Sequence, residues 1–154
     1  MLFDRFNKKE KRYVGPIVDI VEERIEPANV WNKNVRSIFY GVYLTDTNTK
    51  VGRCDLRIGM NDELYYAGNI GYRIEEMYRG NHYAYYTCLL LFEIAKKEYD
   101  MDELIITCSP DNIPSKKTLE KLKGVYIETI DVPHSHWLYR QGEPIKDIYH
   151  YVLE

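Results

Sequence analysis

A chain of 154 residues is long enough for one domain with a sizeable core, and residues 1–154 read as a single domain. Apolar residues at 45% and charged residues at 29% are proportions of a globular domain. The formal net charge of −3 excludes a nucleic-acid protein that works by bulk attraction, and no apolar run approaches a membrane span, so neither nucleic acid nor membrane is expected as a partner.

The first 14 residues hold the basic run Arg5-Phe6-Asn7-Lys8-Lys9-Glu10-Lys11-Arg12, which lacks apolar periodicity and reads as a solvated tail. No secretory leader is expected. Residues 17–25 alternate as a first strand, broken by Pro27-Ala28-Asn29. Residues 37–44 form a second, with Ile38, Tyr40, Val42 and Leu44 on one face. Asp46-Thr47-Asn48-Thr49 turns into a third strand, 51–58. Gly59-Met60-Asn61-Asp62 turns into a fourth, 63–74. A helix is predicted from 81 to about 98, with apolar Ala84, Cys88, Leu91 and Ala95 spaced four, three and four apart. The short apolar run 103–108 suits a strand buried on both faces. Pro114 opens a second helix that ends near Gly124, and 125–132 and 147–153 are the last strands. The order β-β-β-β-α-β-α-β-β is that of a mixed α/β domain. Cys54, Cys88 and Cys108 sit scattered in apolar segments without metal-like spacing, which points to buried thiols in a reducing cytoplasm.

The chemistry concentrates in Tyr72-Arg73-Ile74-Glu75-Glu76-Met77-Tyr78-Arg79-Gly80-Asn81-His82-Tyr83-Ala84. A strand, a basic turn and a helix start follow one another here. The first N–H groups of a helix lack internal partners and carry the positive end of its dipole. A phosphate or pyrophosphate is therefore expected at Gly80 to Ala84, with Arg79 supplying a formal charge.

That loop, the strand Ile70-Gly71-Tyr72-Arg73-Ile74 and the helix start Asn112-Ile113-Pro114-Ser115 occur in an order that resembles the GNAT (GCN5-related N-acetyltransferase) superfamily, over about residues 37 to 130. The resemblance implies a single mixed, mostly antiparallel sheet of about seven strands with two main helices. The helical region between the first two strands is shortened to residues 26–36. It implies acetyl-coenzyme A as co-substrate, with its pantetheine arm along the main chain of Tyr72, Arg73 and Ile74. The pyrophosphate would lie on Arg79, Gly80, Asn81, His82, Tyr83 and Ala84, and Asn112 and Ser115 would face the arm. His82 stands where the family has Gly, and His tolerates the left-handed backbone that Gly supplies there. Capping and turn formation explain Asn112 and Ser115 as well.

For the reaction, the resemblance implies transfer of an acetyl group to a primary amine of a small molecule, a peptide N-terminus or a lysine, by direct attack in a ternary complex. Two familiar catalytic groups are missing. Asn69 replaces a Glu common in relatives, and an amide can orient a water or an amine but not accept its proton. Leu119 replaces a Tyr that serves as general acid. The remaining catalytic candidates are Asn69, Tyr72, His134 and His136. Each has a plainer reading, as core packing for Tyr72 and as inert loop residues for the histidines. The two histidines lack a third ligand, so no metal is expected. Asp55 and Arg57 share a face of their strand, either lining the acceptor cleft or forming a salt bridge across the sheet. Trp31, Trp137, Tyr139 and Tyr43 line such a cleft or pack as ordinary aromatics. The cleft is left open, or is completed by the 133–144 loop or by the second subunit of a homodimer. A non-catalytic acyl-coenzyme A-binding module or sensor is the alternative, favoured by Asn69 and Leu119. Positioning and backbone N–H groups can carry much of such a reaction, which favours the enzyme.

Overall fold

The computed structural model describes residues 10–154. Most of the expected basic tail lies outside them. Its described end is not solvated throughout, because Arg12–Tyr13 forms a short strand, β1, on the edge of a sheet.

Five strands form the first sheet, in the order β1-β2-β3-β4-β5: β2 Val18–Glu26, β3 Arg36–Leu44, β4 Lys50–Ile58 and β5 Ile70–Ile74 join β1. Three strands form a second, in the order β6-β8-β7, from β6 Glu103–Cys108, β7 Val125–Asp131 and β8 Ile145–Val152. Every ladder is antiparallel. The expected single sheet is thus divided into two sheets that meet between β5 and β6 and are not paired along that seam. The helices are α1 Asp62–Ala67, α2 Tyr83–Tyr99, α3 Ile113–Lys121 and α4 Trp137–Arg140. Among the described residues no helix is long and apolar enough to cross a membrane.

The predicted fourth strand, 63–74, is corrected in its first half, which is α1. Asn61 caps that helix, its side chain accepting from the Leu64 N–H at 2.9 Å, and Asp62 and Glu63 sit at its positive end. Gly68, at φ +80°, then ends the helix. The start signal outweighs the alternation of Leu64 and Tyr66. The short α4 was not foreseen either.

The core lies between the first sheet and α2. Cys88, Leu91, Ile94 and Ala95 of α2 are buried against Ile20, Ile38, Tyr40, Val42, Cys54 and Leu56. Cys88, Leu91 and Ala95 are three of the four positions that the helical spacing selects, and Ala84 is partly buried. The three cysteines are buried and free. The opposite face of the first sheet carries Arg24 stacked 4.0 Å from the Phe39 ring, the Asp55–Arg57 pair, and Gly71. Between β2 and β3 the chain makes only one tight turn, at Val30–Asn32. Asn29 braces it, accepting from Trp31 N and Asn32 N at 2.9 and 3.0 Å.

Candidate active site

The seam between β5 and β6 comes from two unequal partners of β5. On the β4 side, Asn69 O accepts from Arg57 N at 2.7 Å and Glu75 N donates to Val51 O at 2.8 Å. Backbone groups alternate sides along a strand, so the odd-numbered residues of β5 are spent on β4. Those of Ile70, Tyr72 and Ile74 face β6. At the start of β5, Asn69 N donates to Ile105 O at 2.7 Å and Asn69 Oδ1 accepts from Ile105 N at 2.8 Å. Beyond that clasp no ladder joins the strands, and Tyr72 presents its main-chain N–H and C=O to the gap. At the far end Ile74 O accepts from Arg79 Nε at 3.0 Å, which folds the basic loop back onto the strand.

The loop then turns through Gly80 at φ +86° and His82 at φ 61°. His82 adopts the left-handed backbone expected of it, the conformation a glycine adopts without strain. His82 caps α2 but its side chain makes no capping bond, and the first helical bond runs from Tyr86 N to His82 O. The N–H groups of Tyr83, Ala84 and Tyr85 therefore open toward the cleft. Asn81 is turned inward on the loop, its amide donating to Tyr78 O at 3.0 Å.

The gap widens into a cleft of about 780 Å³ lined by Tyr72, Arg73, Ile74, Arg79, Gly80, His82, Tyr83, Ala84, Asn112 and Ser115. Ten of the eleven expected cofactor residues meet there, with Asn81 behind the loop. Asn112 is the N-cap of α3, its Oδ1 accepting from Ser115 N at 3.3 Å. Ser115 Oγ accepts from the Tyr72 hydroxyl at 3.2 Å, tying α3 to the seam. Burial raises Tyr72 well above the usual phenol range, so it stays protonated at neutral pH. Lys117 and Lys121 also line the cleft, the latter with its ammonium 4.4 Å from the Tyr85 ring. They were not singled out from the sequence, although their i, i+4 spacing puts them on one helix face.

The other catalytic candidates are engaged elsewhere. Asn69 is fully buried; its amide donates to Arg57 O at 2.9 Å and Gly59 O at 2.7 Å, so no N–H remains to hold a water or an amine. His136 is 5% exposed, with Nδ1 accepting from Leu138 N and Nε2 donating to Glu63 O, both at 3.1 Å. It is the N-cap of α4 and packs edge-on against Tyr66. His134 is exposed and stacks on Tyr139 at 4.2 Å. Leu119 is fully buried.

A second cleft, of about 590 Å³, opens beyond Arg57 and is walled by Trp31, Glu63, Tyr66, Trp137 and Arg140. Trp31 is 93% exposed on its braced turn. Of the four aromatics proposed for an acceptor cleft, Trp31 and Trp137 line this one. Tyr43 instead packs under the Arg12 guanidinium, 5.4 Å away, and Tyr139 packs on His134.

The family model for the acetyltransferase (GNAT) domain matches residues 2–125. Solved structures agree in fold. A GNAT-family acetyltransferase from Bacillus anthracis is 23% identical with a TM-score of 0.58, over 74% of this chain and 65% of that one. A ribosomal-protein-S5-alanine acetyltransferase from Vibrio fischeri is 11% identical with a TM-score of 0.65, over 94% of this chain and 97% of that one. A ribosomal L7/L12 alpha-N-protein acetyltransferase in complex with coenzyme A is 14% identical with a TM-score of 0.57, over 76% of this chain and 62% of that one. The chain spans 65%, 62% and 64% of the first three structures it matches. A sequence comparison with curated proteins finds no match.

Proposed function

Because the chain belongs to the acetyltransferase (GNAT) family, we propose that it transfers the acetyl group of acetyl-coenzyme A to a primary amine. The observation that carries this reading is the unpaired main chain of Tyr72 at the β5–β6 seam, leading to the uncapped amides of α2. An extended pantetheine arm bonds to such a strand as a further strand would. The N–H groups of Tyr83, Ala84 and Tyr85, with Arg79, suit a pyrophosphate. Lys117 and Lys121 add charge for the remaining phosphate. The Tyr72 N–H would polarise the thioester carbonyl, and the Tyr72 hydroxyl would return a proton to the departing sulfur.

The amine would arrive through the second cleft, across β5 from the cofactor. That cleft sets the carboxylates of Asp62 and Glu63 and the cations Lys33, Arg57 and Arg140 around Trp31, Tyr66 and Trp137, whose ring faces would take the amine. The relatives named for ribosomal proteins make a peptide N-terminus a reasonable member of the acceptor panel. A cytoplasmic location accords with three free, buried cysteines, and a second subunit would complete the open side of the cleft.

The full engagement of Asn69 and the burial of Leu119 favour a second reading, a binding module for acyl-coenzyme A with little turnover. Calorimetric titration with acetyl-coenzyme A, coenzyme A and dephospho-coenzyme A tests the shared cofactor site. An amine panel then separates the two readings. Micromolar binding with amine-dependent release of coenzyme A is the expected result; binding without turnover selects the module, and no binding removes both.

A further inference from the structure

Between the two clefts the strand β5 is thinnest at Gly71, and the outer face of that glycine is occupied. A Cβ built there would lie 2.5 Å from Asp55 Oδ1 and 2.9 Å from Arg57 Nη2. Asp55 is the direct cross-strand partner of Gly71 in the β4–β5 ladder. Arg57 Nε pairs with Asp55 Oδ2 at 2.8 Å, and the side chains are only 19% and 16% exposed for Arg57 and Asp55. The guanidinium is itself anchored, its Nη1 donating to Ala67 O at 2.9 Å and Gly68 O at 3.2 Å. Arg57 also walls the second cleft, and Tyr72, the residue after Gly71, lines the first. The Asp55 carboxylate borders neither cleft directly; it stands on the outer face of the sheet between Arg57 of the second cleft and Gly71, the residue before Tyr72 of the first.

We propose that Asp55, held over Gly71 by Arg57, is the base that accepts the proton of a primary amine attacking from the second cleft. The proposal rests on the acetyl-coenzyme A reading above. The amine nitrogen bonds to the thioester carbonyl carbon, and the carbon–sulfur bond breaks with its electron pair leaving on sulfur. The excess proton on nitrogen passes to an Asp55 oxygen, and sulfur takes a proton from the Tyr72 hydroxyl or from water. Gly71 is part of the device, because any side chain would displace the carboxylate or block the approach.

The environment is suited to a base. Burial raises the Asp55 carboxyl above its ordinary range, while Arg57 and then Arg53 hold it partly down. Arg73 on β5 pairs with Arg53, Phe39 on β3 faces Asp55, and Arg24 on β2 lies beyond Phe39. Farther out, Glu23 is taken by Lys50 and Glu26 by Arg24.

The test compares the wild type with Asp55→Asn and Asp55→Glu, following discharge of acetyl-coenzyme A by glycinamide and by water across pH. Acetyl-coenzyme A binding to each protein is measured by calorimetry. Asp55→Asn is expected to lower kcat by about a hundredfold or more. It should also abolish the acidic limb of the pH profile while leaving the limb set by ionisation of the amine. Asp55→Glu should keep the acidic limb. If Asp55→Asn does not fold, Gly71→Ala decides, since it moves the carboxylate without removing it and should cost about tenfold or more in kcat. Retained binding with discharge and pH profile equal to wild type overturns the role of Asp55 and leaves the cofactor site standing. Absent binding in the wild type overturns the cofactor reading, and this proposal with it.

Discussion

Asn69 and Ile105 clasp each other twice, Asn69 N donating to Ile105 O at 2.7 Å and Ile105 N donating back to Asn69 Oδ1 at 2.8 Å. This pair sets where β5 and β6 stop touching. The same side chain holds the β4 end through Arg57 O and Gly59 O. An asparagine can do this because it offers two donors and an acceptor at once.

Replacing Asn69 by Asp keeps the shape but sets a carboxylate against two carbonyl oxygens in a buried site. Each lost or mispaired buried bond costs about 1–3 kcal/mol. Asn69→Asp is therefore expected to lower stability by about 3 kcal/mol or more, read as a shifted urea midpoint. It should not raise turnover. A stable variant with faster amine acetylation would show instead that Asn69 occupies a vacant catalytic position.

The two loop histidines separate in the same experiment type. His136 caps α4 and bonds to Glu63 O, whereas His134 is exposed against Tyr139. His136→Ala is expected to cost about 2 kcal/mol, the sum of a lost cap and an orphaned buried carbonyl. His134→Ala should change stability by less than about 0.5 kcal/mol. Urea unfolding of the two single variants checks the difference. A large kcat loss in His134→Ala with intact folding would return that residue to catalysis.

Asp19 gives the fold an acid-sensitive joint. It is fully buried, and its oxygens accept from Thr45 Oγ1 at 2.5 Å, Asp46 N at 2.9 Å, Arg12 Nε at 2.8 Å and Gly15 N at 3.1 Å. Burial pulls the carboxyl upward, but the Thr45, Asp46, Arg12 and Gly15 bonds outweigh it and hold the group below its ordinary range. A folded-state value below the unfolded one means stability that is complete above the unfolded pKa, about 3.9. That stability is lost as pH falls through the folded value. Asp19→Asn is expected to cost about 2 kcal/mol at pH 7 and progressively less below about pH 4. Urea midpoints of both proteins between neutral and acidic pH measure the gap, and a constant gap would sink this assignment.

The legible parts of the chain were those fixed by local spacing. The α2 helix declared itself through Cys88, Leu91 and Ala95, and the loop from Arg79 to Ala84 through its charge and glycine next to a helix start. Residues 63–67 carry a strand-like alternation at Leu64 and Tyr66, but the cap from Asn61 makes them helical. The Asp55–Arg57 pair was visible as a period of two, but its place over Gly71 depends on the register of two strands. The second cleft was least accessible. Trp31, Glu63 and Trp137 come from three separate segments, and only the tertiary fold brings them together.

Gly80 tests the cofactor loop without touching the core. Its φ is +86°, and a Cβ there would meet nothing within 4 Å. A β-branched residue would thus be strained only by the backbone, at a cost of roughly 1–2 kcal/mol. Yet its side chain would stand in the cleft beside the open amides of α2, where close approach of a phosphate needs a bare backbone. Gly80→Val is expected to weaken coenzyme A binding by about tenfold or more, with a small loss of stability, as a blocked anion site predicts. Calorimetry of the folded variant at two salt concentrations measures both the loss and its electrostatic share. Unchanged affinity in a folded Gly80→Val protein would place the pyrophosphate elsewhere, and the natural next position would be the face of α3 carrying Lys117 and Lys121.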